Sequence, residues 1–195
     1  MFIGHYGVAL AAKKLAPRVS LGTLFLAAQL LDLIWPTLVL LGIERVRIAP
    51  GITRVTPLDF EHYPYSHSLL AVLAWSILAG GGHYLKRGSR TAALVIGLLV
   101  TSHWLLDFLV HRPDLPILPW ADTKTGLDGW SSYPLTLALE LGFFGAGLWL
   151  YSDTTRPSDR SGKWGYAALS VLMVAIFFAN TFGPPPPGQE ISAAK

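Results

Sequence analysis

The chain contains no cysteine. That absence excludes a disulfide framework and any thiolate metal site, so a bound metal would have to be held by His, Asp, Glu or water. Charge is scarce as well. Asp, Glu, Lys and Arg make up 14% of 195 residues, where a soluble domain carries about a quarter. Three catalytic signatures are also missing: the His-Glu-x-x-His of zinc proteases, the Gly-x-Ser-x-Gly elbow and the phosphate-binding P-loop. There is no internal repeat and no second, soluble domain.

What is present is apolar sequence, 52% of the residues, gathered into runs near the roughly 20 residues that a spanning helix needs. These runs predict an all-α, polytopic membrane helical bundle with five spans, at about 20–42, 67–85, 91–111, 133–151 and 164–182. Segment 2–16 is too short to cross alone and is expected to be a re-entrant helix. Residues 1–182 then form one transmembrane domain, and the Pro-rich tail 183–195 is expected to be disordered. Lys13, Lys14 and Arg18 follow the first apolar stretch, which does not fit a cleaved signal peptide.

The basic residues fall in alternate connections: Lys13, Lys14 and Arg18, then Lys86, Arg87 and Arg90, then Arg156, Arg160 and Lys163. The two longer loops, 43–66 and 112–132, balance theirs with Glu44, Asp59, Glu61, Asp114, Asp122 and Asp128. The positive-inside rule therefore places the N-terminus in the cytoplasm, with the two longer loops and the tail outside. The net positive charge serves topology, and no nucleic-acid partner is expected; the lipid bilayer is.

Five apolar segments carry ionisable side chains. His103, Asp107 and His111 are spaced i, i+4, i+8 and share one stripe of their helix. His5 precedes Pro17 by 12 residues, and Asp32 follows Ser20 by 12. At about 1.5 Å per residue, a helical hairpin bent at 17–20 brings both to one height, roughly 18 Å above the bend. His103, counted from Thr91, and Glu140, counted back from Tyr151, reach the same level. Pro36, four residues after Asp32, is expected to kink that turn. His67 lies at the mouth of its span, with Ser66 a candidate helix cap and His62 nearby.

Imidazoles and carboxylates without thiols suit Zn²⁺ first, with Mn²⁺ or Fe as alternatives. The candidate metal ligands are His5, Asp32, His67, His103, Asp107 and His111; Glu140 and Asp32 are the candidates for a catalytic carboxylate. His103 and His111 have Cα atoms about 12 Å apart, too far to share one ion comfortably, whereas Asp107 between them could bridge two. A one-ion site would use His5 or Asp32 with His67, His103 and Asp107, leaving Glu140 to orient a ligand or take a proton. Both arrangements stay open.

On these residues the chain resembles a family of bacterial inner-membrane, membrane-bound metal-dependent hydrolases, LexA-regulated in the named example. The matching elements are Gly4-His5-Tyr6-Gly7, Asp32 in the first long span, His62-Tyr63-Pro64-Tyr65-Ser66-His67-Ser68 against a His-Arg-x-x-Thr-His-Ser motif, and the His-x-x-x-Asp of His103 and Asp107. Tyr63 stands where the family has Arg, and Ser66 where it has Thr. The chain is also faintly similar to zinc-dependent phospholipase C, whose helices supply His and His-x-x-x-Asp ligands; Thr136 to Glu140 lacks the His of a His-x-x-x-Glu. The resemblance implies a multi-pass protein of the bacterial inner membrane that hydrolyses a lipid-like phosphoester or related ester with metal-activated water. The rival reading is an ion or proton relay, or a permease, using the same intramembrane cluster. A buried polar network that merely holds the helices in register is the plainest reading.

Overall fold

A computed structural model of the chain describes residues 1–187 and 189–191. Its helices are α1 (Ile3–Ala12), α2 (Leu21–Ala28), α3 (Leu30–Leu40), the one-turn α4 (Pro64–His67), α5 (Leu69–Arg87), α6 (Arg90–Val110), α7 (Tyr133–Thr154) and α8 (Arg160–Phe182). The protein is an all-α, membrane-type bundle. Among the described residues α5, α6, α7 and α8 are each long and apolar enough to cross a membrane, and α2 with α3 makes a fifth span if the bent pair is counted as one. Leu73, Ile77, Leu85, Leu98, Trp149 and Val171 are exposed on the long helices, as a lipid-facing surface requires.

Helix starts follow local chemistry. Ser20, Ser68, Ser89, Ser132 and Asp159 each accept a hydrogen bond from the amide three residues on, satisfying one of the donors that a helix leaves free in its first turn. The cap of α5 is thus Ser68, not Ser66, and α5 ends at Gly88, in the left-handed region at φ 69°.

α1 is the centre of the bundle. Ile3, Gly4, His5, Gly7, Ala9, Leu10 and Ala12 are buried, and the helix packs on α7, α2 and α6. It meets α7 backbone to backbone: a Cβ on Gly7 would overlap the Phe143 carbonyl, and one on Gly147 would overlap Gly7. Glycine at both positions is what allows so close a crossing.

The kink expected at Pro36 lies elsewhere. α2 and α3 are bent by 53° at Gln29, while Pro36 stays inside α3. The carbonyl of Ala28, the last residue of α2, accepts a hydrogen bond of 2.7 Å from His103 Nδ1. The break is stabilised by a side chain of another helix, satisfying a carbonyl the ladder releases.

The two long loops form a cap over one end of the bundle. β1 (Arg45–Ile48) pairs antiparallel with β2 (Leu58–His62), and β3 (Leu115–Pro116) with β4 (Lys124–Thr125). Within the tail, β5 (Gln189–Ile191) lies antiparallel on the other edge of β1; residues 188 and 192–195 of that tail lie outside the described residues. The loop 112–132 is pinned to the end of α6 through Leu127 N–H to Phe108 O (2.8 Å) and Asp128 N–H to His111 O (2.7 Å), and a one-turn 3-10 helix, Gly129–Ser131, sets Trp130 over the bundle.

Asp59 knits the cap, accepting from Arg47 at 2.6 Å and from Arg112 at 2.8 Å. Burial alone would raise its carboxyl, but the two guanidiniums hold it below the usual carboxylate range. A depressed carboxylate stabilises the fold above its unfolded-state pKa, about 3.9, and loses that contribution as pH falls through the lower folded value. Between about pH 5 and pH 2 the thermal stability of Asp59→Asn is therefore expected to fall less steeply than that of wild type. Parallel curves would show that the pairs contribute nothing.

Candidate metal centre

Beneath this cap four side chains, His5, Asp32, His67 and His111, converge on His103 and Asp107, both fully or almost fully buried. His103 Nε2 lies 3.2 Å from Asp107 Oδ2 and 3.5 Å from Asp32 Oδ1. His67 Nε2 lies 3.6 Å from that Asp32 oxygen and 3.8 Å from Asp107 Oδ2. His111 Nε2 is also 3.8 Å from Asp107 Oδ2. The other Asp107 oxygen faces His5 Nε2 at 3.1 Å and contacts the backbone nitrogen of Met1. The His5 ring stacks on His103 with centroids 3.8 Å apart. The short helix α1 thus delivers His5 to the level of Asp32 and His103.

The far nitrogens show how the imidazoles are set. His103 Nδ1 bonds the Ala28 carbonyl, which can only accept, so Nδ1 carries the proton. His111 Nδ1 lies 2.9 Å from Asp114 Oδ1, again an acceptor. Burial and the neighbouring Asp114 charge push the Tyr63 hydroxyl well above its ordinary value, so Tyr63 stays protonated and donates to the same carboxylate at 3.2 Å. His67 Nδ1 lies 2.7 Å from Ser66 Oγ, whose own proton goes to Glu44 Oε2 at 2.7 Å. Three imidazoles therefore hold a proton outward on Nδ1 and turn Nε2 toward Asp107. This is the arrangement in which metal-binding histidines are held.

An Nε2 that faces carboxylate oxygens must either carry a second ring proton or share a cation with them. His103 Nε2 is buried with no hydrogen-bond partner while facing two carboxylates, which is costly for a neutral ring. Two groups of donor atoms, His5–His103–Asp107 and Asp32–His67–His103, each gather within 4.8 Å. The four donors Asp32 Oδ1, His67 Nε2, His103 Nε2 and Asp107 Oδ2 have contacts of 3.2, 3.5, 3.6 and 3.8 Å. A tetrahedral site with bonds of 2.0–2.2 Å has edges of about 3.3–3.6 Å. Either group could hold a metal ion.

The chain matches no family model, no curated protein and no solved structure.

Glu140 is placed differently from the other candidates. Its two oxygens accept from Phe2 N–H at 2.7 Å and Gly4 N–H at 2.8 Å. It caps α1, and both lone-pair faces are occupied by backbone. His62 ends β2 with its ring against Tyr65 and, among the described residues, touches none of the cluster. Asp32 is the cluster's open side: its side chain is 41% exposed, against 4% or less for its neighbours. A cavity of about 230 Å³ lies over Asp32, His67, Asp107 and His111.

Sequence reasoning missed Glu44. It is completely buried and accepts from Tyr65 N–H (2.8 Å), Ser66 N–H (2.9 Å) and Ser66 Oγ (2.7 Å). Its only signal in the sequence was a carboxylate directly after the first long span, which read as loop charge. Asp114, three residues beyond His111, was overlooked in the same way. Glu44→Ala leaves three donors unsatisfied and frees the His67 ring, so a stability loss of roughly 2–4 kcal/mol is expected. Chelator competition should show metal affinity lowered about 10–100-fold. Unaltered affinity in a folded Glu44→Ala protein would remove Glu44 from the support of His67.

Proposed function

We propose that the protein is a membrane-bound, metal-dependent hydrolase acting on a lipid-like phosphoester or related ester. The observation that carries this reading is the set of three imidazoles whose Nδ1 protons are tied outward and whose Nε2 atoms meet at Asp107. His67, His103 and Asp107 hold the cation, Zn²⁺ by preference and Mn²⁺ or Fe by the same donor chemistry. A cation there supplies Lewis acidity and lets water attack near neutral pH.

Asp32 stands beside the open fourth corner on the cavity side and takes the proton of the attacking water. The water oxygen bonds to the phosphorus or acyl carbon, the ester bond to the leaving oxygen breaks, and that oxygen departs with the proton passed on from Asp32. His5, stacked on His103 and bonded to Asp107, keeps the carboxylate turned. The alternation of Lys and Arg supports a cytoplasmic turn at Lys13, Lys14 and Arg18, with Met1 carried back up to a site near the outer face of a bacterial inner membrane.

The buried chain from His5 through Asp107 and His103 to Asp32 also favours a second reading, a proton relay or transport path. Elemental analysis of the full chain, purified without chelator, separates the two. About one ion per chain is expected; metal-free protein would remove the hydrolase reading and leave the relay.

A further inference from the structure

The 230 Å³ cavity over the centre is smaller than the roughly 300–1,000 Å³ of a site enclosing a whole organic ligand. It can take a headgroup, and the rest of the molecule must continue elsewhere. A second cavity, of about 780 Å³, shares Met1, Thr56, Leu58 and Trp130 with it. Its further walls include Phe2, Val55, Tyr133, Phe177 and Phe182. Tyr133 begins α7 and Phe182 ends α8, so this cavity lies where two spanning helices leave the bilayer, the depth at which a lipid carries its ester bonds. Arg54 lies on its wall, exposed, with no carboxylate partner among the described residues. Glu140, the carboxylate on that wall, has both oxygens engaged by amides of α1.

We infer that the two cavities form one bipartite groove for an anionic, single-chain amphiphile such as an alkyl phosphodiester. The phosphate lies over Asp32, His67 and His111, the chain passes Trp130, and the hydrocarbon fills the space between loop 51–58 and the end of α8. Arg54, on the wall of the larger space and not in contact with the seated phosphate, adds positive potential along the path by which the negative headgroup enters. The inference rests on the hydrolase reading, because the cation proposed there offsets Asp32 and Asp107 beneath the phosphate.

The test uses the full chain in nanodiscs of zwitterionic lipid. Methyl hexadecyl phosphate, a diester brominated along its long chain, is titrated while tryptophan fluorescence is followed. Saturable quenching beyond that given by a brominated phosphatidylcholine is expected in wild type, and the Trp130 share of that excess is expected to be absent in Trp130→Phe. Val55→Trp, which fills the larger space, is expected to weaken binding by at least about tenfold. Arg54→Glu, an exposed change, is expected to weaken the anionic probe about fivefold or more and to spare a brominated hexadecyl alcohol. Quenching unchanged in Trp130→Phe, or equal affinity in Val55→Trp and Arg54→Glu, overturns the groove.

Turnover separates this inference from the one beneath it. Bis(p-nitrophenyl) phosphate is compared with p-nitrophenyl hexadecyl phosphate, the longer chain being expected to lower KM in wild type and not in Val55→Trp. Hydrolysis of both without chain-length dependence leaves the hydrolase and removes the groove. Localised binding without hydrolysis of either leaves the groove and removes the hydrolase.

Discussion

His103→Ala, purified beside wild type without chelator, is expected to retain less than about a tenth of the wild-type metal, because one of three holding atoms is gone from a buried site. Asp107→Asn should do the same, since Asp107 faces every imidazole of the cluster. Asp32→Asn is expected to differ. Its amide keeps the shape of the open corner but cannot take a proton, so metal should stay and ester hydrolysis should fall by about 10²–10⁴. Retained metal in His103→Ala would place the ion elsewhere. Loss of metal in Asp32→Asn, to the extent seen in His103→Ala, would make Asp32 a holder and remove it as the base.

The second large effect is expected far from any ligand atom. Gly7 and Gly147 let α1 and α7 touch backbone to backbone, and there is no side chain to rotate away. Gly7→Val should force the helices apart, with a stability loss of about 3 kcal/mol or more. His5 and the α1 amides held by Glu140 would move with the helix. Gly145→Val is the control: it lies two residues from Gly147 on α7, and a Cβ there meets nothing within 4 Å. Thermal unfolding and metal content should separate the two variants clearly. Equal behaviour would mean that α1 is free to shift without consequence.

The bundle and much of its cluster were legible along the chain, because both depend on short-range periodicity. Apolar runs of spanning length locate α5 to α8 within a few residues, and the i, i+4 spacing puts His103 and Asp107 on one face whatever the helix packs against. Equal residue counts on either side of the 17–20 turn bring His5 level with Asp32, since the rise per residue is constant. The span 20–42 shows where that kind of reasoning stops. Pro36 marks the site where a helical hydrogen bond must be missing, but the bend occurs at Gln29, where His103 captures the Ala28 carbonyl.

The same holds for the supports of the cluster. Glu44 and Ser66 are 22 residues apart, and Ala28 and His103 are 75 apart; no local pattern links them. The Nδ1 partners of His67 and His111, Ser66 and Asp114, are sequence neighbours. The Glu44 that fixes the Ser66 proton, the Tyr63 that shares Asp114 and the Ala28 carbonyl that holds His103 are brought there only by folding. A helix's own period determines which side chains share its face; the neighbouring helices determine what that face can hold.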